Sequence, residues 1–152
     1  MLLNLLKQSL AAESASDAHA WGQLILRASV GLMIFVIHGW HKLKGGLAYL
    51  QNATPWPLAD EVAGMHFPAP VAFAFAATAI QFVCSLLLIA GLMTRLNAAL
   101  LTATLSAAIL QNLLSQRDSQ LAILYVLVLV TLVLLGGGKF SLDAMMLSRM
   151  AH

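Results

Sequence analysis

The chain has 152 residues, of which 61% are hydrophobic and 9% are charged, and its formal net charge is +2. Soluble domains carry roughly a quarter charged residues, so this composition excludes a soluble globular enzyme and predicts a polytopic membrane protein of one domain. The small net charge gives no indication of nucleic-acid binding. The single cysteine, Cys84, excludes an intrachain disulfide.

The first 22 residues predict a segment at the membrane interface rather than a span. Lys7 follows the short apolar run, which is not the order of a signal peptide. Residues 11–20 are polar or small and predict a linker. Trp21 is typical of the headgroup level in front of a span. The apolar side of the predicted interfacial helix consists of Leu2, Leu3, Leu5, Leu6 and Leu10.

Four apolar stretches follow, each near the length that crosses about 30 Å of hydrocarbon. Only helices satisfy their backbone groups internally at that depth without forming a closed barrel, and no alternating strand pattern is present. Two very short connections predict that neighbouring helices run antiparallel. The predicted fold is all-α: an antiparallel four-helix transmembrane bundle with short amphipathic terminal helices. The predicted spans are residues 23–40, 70–93, 96–114 and 121–135.

The long connection, residues 41–69, is rich in helix breakers, including Pro55 and Pro57. It predicts a mostly irregular, extended loop with one short helix near residues 58–64, lying as a cap against the membrane surface. Residues 139–152 predict a short amphipathic tail.

The first span carries charge and imidazole, which are costly in lipid and therefore indicate function by default. Polar side chains in the other three spans are expected to face the same interior. The predicted cavity has Arg27 near the inner face and His38 near the outer face. The candidate ligand-binding residues are Arg27, His38, Gln81, Ser85, Asn97 and Gln120.

Structural roles stay open for the same residues. Polar side chains in membrane helices most often join helices, each contributing about 1 kcal/mol. Arg27 lies only about one turn inside its span and could extend to the interface. A stripe of small residues predicts close approach of another helix and consists of Ala99, Ala103 and Ala107.

The histidines are weak candidates for a metal site. His38 and His41 are three residues apart, and His66 could join them from the long connection. No cysteine or carboxylate within a span completes the set, so no metal site is predicted. Hydrogen bonding or proton exchange by His38 is favoured instead.

Several short motifs occur in a fixed order along the chain. They are Arg27, Gly31, His38-Gly39 and Lys42-Leu43, then residues 67–70 (FPAP), 90–95 (AGLMTR) and 135–143 (LGGGKFSLD). In this order they resemble the DoxX family of small membrane proteins, from about Leu24 to Ala144. The resemblance implies a four-helix inner-membrane protein. Some family members are named as subunits of a thiosulfate–quinone oxidoreductase, and others are linked to redox-stress complexes or to metal-responsive gene clusters.

The chain departs from the pattern of that family at two positions. Family members usually carry glutamate ten residues before the glycine that matches Gly91, and here that residue is Gln81. A second glutamate commonly opens the fourth span, where this chain has Gln120. Both replacements keep hydrogen bonding but remove the ionisable proton.

Two functional classes remain, and the choice between enzyme and non-enzyme stays open. The favoured one is a non-catalytic membrane component or anchor of a larger complex, with a polar cavity in the bundle. The alternative is a quinone-binding subunit of an oxidoreductase, in which Arg27, His38 and Gln81 bind the quinone carbonyls. Because the chain has one cysteine and no dinucleotide loop, electron transfer would require a partner.

The expected location is the bacterial inner membrane. A small excess of lysine and arginine favours cytoplasmic placement of both termini. The expected partners are lipid and either another subunit or further copies of the chain, with no nucleic acid.

Overall fold

A computed structural model describes the backbone of residues 2–150 and the side chains of residues 17–149. The described chain contains helices and no strand, so the all-α prediction is confirmed. The elements are α1 (Leu2–Met33), the π-helical segment π1 (Ile34–Gly39), α2 (Trp40–Asn52), α3 (Pro57–Gly64), α4 (Pro70–Ala79), the π-helical segment π2 (Ile80–Cys84), α5 (Ser85–Ala90), α6 (Thr94–Leu114), α7 (Gln120–Leu135) and α8 (Leu142–Met150).

In the described range, three helices are long and apolar enough to cross a membrane: Asp17–Asn52, Pro70–Ala90 and Thr94–Leu114. The helix α7 is equally apolar but has 16 residues, which gives a length of about 24 Å. Several leucine side chains on its outward face are exposed, and Leu134 is 72% exposed. Water does not tolerate so much exposed apolar surface, whereas lipid does. The prediction of an all-α membrane protein is therefore confirmed.

The first helix is much longer than the sequence predicts. It runs from α1 through π1 and α2 without a break, so residues 11–20 form helix instead of a linker. Those residues contain no glycine or proline to stop a helix. Likewise, residues 41–52, predicted as part of an extended loop, form α2. The helix ends only at Ala53, whose φ of 51° is left-handed, just before Pro55.

The remainder of the long connection forms an ordered cap through α3. Trp56 is 3% exposed, and its ring centroid lies 4.6 Å from that of Phe75 and 6.1 Å from that of Tyr49. Proline at the first position of α3 fixes the backbone for the start of that helix. Because Trp56 is buried against these rings, it joins the cap to the first and second helices.

The first helix packs closely along the second, which consists of α4, π2 and α5. Three glycines of the first helix make this approach possible, since a Cβ at each would lie within 3.1 Å of the neighbouring helix. The residue numbers of the paired positions fall on one helix as they rise on the other, so the helices run antiparallel. The pairs are Gly31 with Ile89, Gly39 with Gln81, and Gly46 with Phe75.

The third and fourth apolar helices, α6 and α7, form a second hairpin. Its inner face joins the first two helices in one apolar core, which contains Leu101, Leu129 and Leu132 at 0% exposure. Because lipid tails are as apolar as leucine, close packing of these side chains, and not the exclusion of water, holds the helices together. The core thus fixes the positions of the polar groups described below.

Candidate functional site

The two π-helical segments lie against each other at the middle of the second helix. Gly39, the last residue of π1, contacts Gln81 of π2 so closely that a Cβ would lie 3.1 Å from the Gln81 carbonyl oxygen. Such segments interrupt the regular helical hydrogen-bond pattern and occur frequently at functional sites. His38 therefore lies at the level of Gln81, halfway along the second helix, and not at the outer mouth where its position in the first span had placed it.

Three polar side chains at this level form what we call the central polar cluster: His38, Gln81 and Tyr125. The rings of His38 and Tyr125 meet edge to face, with centroids 5.8 Å apart. Gln81 is 0% exposed and Tyr125 is 3% exposed. A tyrosine in the fourth helix is thus part of the site, although no sequence pattern identified it.

Polar atoms of the central polar cluster lack protein partners. Among the described residues, neither His38 Nε2, nor either amide atom of Gln81, nor the Tyr125 hydroxyl has a hydrogen-bond partner. A buried polar group without a partner costs about 1–3 kcal/mol. Proteins retain such groups where another molecule completes the hydrogen bonds, so the cluster is the best candidate for a binding site.

A cavity of about 510 Å³ lies on the cap side of His38, which is the member of the central polar cluster that lines it. Lys42 lines it one turn after His38 on the same helix, and Gln111 and Asn112 line it from α6. Its volume is within the range of sites that bind drug-sized ligands. Lys42 was absent from the predicted site, although its spacing of four residues from His38 places both on one helical face.

The cavity exists because α4 and α6 diverge beyond π2. The helix α6 packs on π2 and α5, while α4 packs on α3. Alanine side chains line both sides of the resulting gap and leave it open, among them Ala76, Ala77, Ala103 and Ala107. The alanine stripe that predicted close approach of another helix therefore instead contributes to a cavity wall.

The cap helix α3 covers the cavity with Leu58, Glu61 and Val62. Arg117, in the turn between α6 and α7, donates a hydrogen bond to Glu61 at 2.5 Å. Their side chains are 58% and 31% exposed, respectively. This ion pair, which we call the cap latch, joins the cover of the cavity to the α6–α7 hairpin.

Arg27 is not part of this site. It is 1% exposed and donates hydrogen bonds to the carbonyl oxygens of Gly137 at 2.6 Å and Phe140 at 3.1 Å. Gly91 packs directly on its guanidinium group. Arg27 thus attaches the first helix to the segment that follows α7, a structural position far from His38: eleven residues of helix separate them by about 16 Å.

Asp143 completes the polar structure at the same end. Its carboxylate accepts hydrogen bonds from the backbone N–H groups of Met93 at 2.7 Å and Thr94 at 3.1 Å. These groups lie at the start of α6, where the helix dipole favours negative charge. The neighbouring Arg95 donates a hydrogen bond to the Leu134 carbonyl oxygen at 3.3 Å. We call this region, with Arg27 and Asp143, the glycine end.

The other predicted ligand-binding residues do not join the cavity. Ser85 is buried but donates to the Phe82 carbonyl within its own helix, and Asn97 donates to the Leu92 carbonyl at 2.7 Å. Both therefore satisfy local backbone groups. Gln120 is exposed at the start of α7, so its side chain does not face the interior.

The predicted weak metal candidates are not brought together either. His41 and His66 are exposed, while His38 is partly buried in the interior. Across the described side chains, no group of three or more histidine, cysteine, aspartate or glutamate residues is arranged to hold a metal ion.

A comparison with protein families identifies the chain. The family model described as DoxX matches residues 22–112, which is more than half of the chain and extends from α1 to near the end of α6. The chain belongs to the DoxX family. The predicted resemblance is confirmed, and together with the apolar helices it makes this DoxX chain an integral, multi-pass membrane protein. No curated protein and no solved structure matches the chain.

Proposed function

We propose that this DoxX chain binds a small amphipathic molecule in the cavity beside His38 and acts as a non-catalytic component of a larger membrane complex. The observation that carries the proposal is a 510 Å³ cavity lined by His38, whose buried Nε2 atom lacks a protein partner. An apolar cavity with a few convergent polar groups is the usual form of a small-molecule site.

The chemistry of the lining supports binding rather than catalysis. The acidic residue that lines the cavity is Glu61, and its carboxylate already pairs with Arg117. Cys84 is buried and is the single cysteine of the chain, so no thiol pair is present to exchange electrons. A reaction at this site would therefore draw its redox groups from a partner.

Extraction of bound molecules tests the proposal. The full chain is placed in lipid nanodiscs, extracted with organic solvent and analysed by mass spectrometry against nanodiscs without protein. We expect an enriched amphipathic molecule in the wild type and its loss in His38→Leu. The matched control is His41→Leu, because His41 is exposed and lies three residues away. Absence of any enriched molecule in the wild type contradicts the proposal.

A quinone is a second candidate ligand, and one observation favours it. The Tyr125 hydroxyl is a hydrogen-bond donor without a protein partner, and His38 beside it has a free ring nitrogen. Such groups suit the carbonyl oxygens of a quinone ring. The same extracts reveal a quinone by its absorbance and mass, and membranes containing the chain would then show quinone-dependent oxidation of a partner's substrate.

We also propose the bacterial inner membrane as the location, with both termini in the cytoplasm. Arg27, Arg95 and Lys139 lie at the glycine end, whereas Lys42 and Arg117 lie at the cap. The distribution of basic residues near the span ends supports this orientation only by a small margin. Labelling with a membrane-impermeant thiol reagent tests this orientation. The variants Lys44→Cys and Lys139→Cys are each made in a Cys84→Ser background and expressed in cells. The proposed orientation predicts that the reagent, added outside the cytoplasm, labels position 44 and not position 139.

A further inference from the structure

We propose that the cavity takes a single-chain amphiphile with a carboxylate head, of the fatty-acid class, with the head at Lys42 and the chain between α4 and α6. The inference rests on the proposed function, since it names the class of molecule that the cavity binds.

The charges around the cavity indicate an anionic head. Lys42 and Glu61 are its charged lining residues, and the carboxylate of Glu61 already pairs with Arg117. Among the side chains that the structure describes, Lys42 has no hydrogen bond or ion pair of its own. Glu61 lies close enough to attract Lys42 as well, so Lys42 and Arg117 share one carboxylate and leave an excess of one positive charge at the cavity. A monoanion balances that charge, whereas a neutral ligand leaves it without a counterion in a poorly hydrated site.

The remaining polar groups suit a carboxylate. Gln111 and Asn112 line the cavity from α6, and His38 lines it one turn below Lys42. Amide N–H groups and imidazole can both donate hydrogen bonds to carboxylate oxygens. A phosphate head carries up to two negative charges, which exceeds the single unbalanced charge supplied by Lys42.

The apolar side of the cavity suits one hydrocarbon chain. Between α4 and α6 alanine is the commonest lining residue, so the gap is apolar and is left open by small side chains. Phe67 and Phe73 stand at its edge and are 40% and 45% exposed. Because this edge belongs to the apolar outer surface, a chain can enter from the lipid without crossing water.

Equilibrium binding to the full chain in nanodiscs of zwitterionic lipid tests the inference. The probes are laurate, 1-dodecanol, dodecyl phosphate and a short-chain quinone. We expect laurate to bind at least ten times more tightly than dodecanol and more tightly than dodecyl phosphate. Lys42→Met is expected to weaken laurate binding at least tenfold and to leave dodecanol binding unchanged. Lys42→Arg retains the charge and is expected to restore laurate binding.

Matched variants separate the head from the chain. Lys44→Met removes an exposed lysine outside the lining and is expected to bind laurate normally. Ala103→Phe fills the cavity wall and is expected to weaken laurate and dodecanol equally, at least tenfold. Ala99→Phe places the same ring on the same stripe outside the lining and is expected to change neither.

Each alternative result has a distinct meaning. Equal binding of laurate and dodecanol, or normal laurate binding by Lys42→Met, overturns the carboxylate inference. Preferred binding of dodecyl phosphate or of the quinone also overturns it but leaves the proposed function intact. If no probe binds and no molecule is extracted from the wild type, the proposed function fails as well.

Discussion

The glycine end and the central polar cluster use buried polar groups in opposite ways. At the glycine end, Arg27 and Asp143 both bond to backbone groups of distant segments. In the cluster, Gln81 is buried as completely as Arg27, but neither of its amide atoms has a partner in the described chain. Burial alone therefore does not distinguish a structural polar residue from a binding one, whereas hydrogen bonding does.

The largest effect is expected from Arg27→Met. Loss of the guanidinium removes two charge-assisted hydrogen bonds and leaves the Gly137 and Phe140 carbonyl oxygens without their donor. We expect the free energy of unfolding to fall by about 3 kcal/mol or more. Unfolding in mixed detergent micelles measures it, with Arg117→Met as a control at an exposed arginine. A loss below about 1 kcal/mol would show that the glycine end does not depend on Arg27.

A smaller loss is expected from Asp143→Ala. This substitution removes the acceptor for the N–H groups at the start of α6, and such caps contribute about 1–2 kcal/mol. Asp143→Asn keeps an acceptor oxygen and should recover part of the loss. Equal stability of the alanine variant and the wild type, measured by the same unfolding assay, would contradict the capping role.

Gly39→Ala tests the close contact between the two π-helical segments. The added Cβ would lie 3.1–3.3 Å from backbone atoms of Gln81 and Phe82, which cannot rotate away. We expect a loss of about 1–2 kcal/mol, as for other overpacked sites. Gly22→Ala is the control, since a Cβ there meets nothing within 4 Å. Its helix propensity should make it neutral or slightly stabilising.

The smallest effect, and one of opposite sign, is expected from Gln81→Leu. Removing an amide without protein partners and replacing it with an apolar side chain should stabilise the chain by about 1 kcal/mol. Gln81→Glu should instead destabilise it, because it places an ionisable carboxyl group at a position that is 0% exposed. Destabilisation by Gln81→Leu would show that Gln81 is a structural residue like Arg27.

The sequence predicts the helices well because long apolar stretches have few alternatives in lipid. It predicts their inner faces less well. The sequence places Arg27 and His38 in one cavity because both belong to the first span, but the helical pitch changes in π1 and the two residues belong to separate sites. The partners of Arg27 are backbone carbonyls at least 110 residues away, and backbone groups leave no mark in a side-chain pattern.

The cavity was harder still to predict. Alanines form much of its wall between α4 and α6. The sequence presents them as a surface for helix packing, and the divergence of α4 from α6 leaves a void beside them. Gln120 was predicted to face the interior, and it does not. Its position at the fourth helix matched a family feature, but the rotation of α7 about its axis leaves the side chain exposed.

The cap latch has a consequence for the speed of ligand exchange. Its two side chains are partly exposed, so dissolved salt weakens the ion pair, whereas Lys42 is partly buried in the cavity lining and is screened less. A pair of this kind contributes at most about 1 kcal/mol, enough to change the opening rate of α3 severalfold. Higher ionic strength should therefore speed both uptake and release of a bound molecule while changing its equilibrium affinity much less.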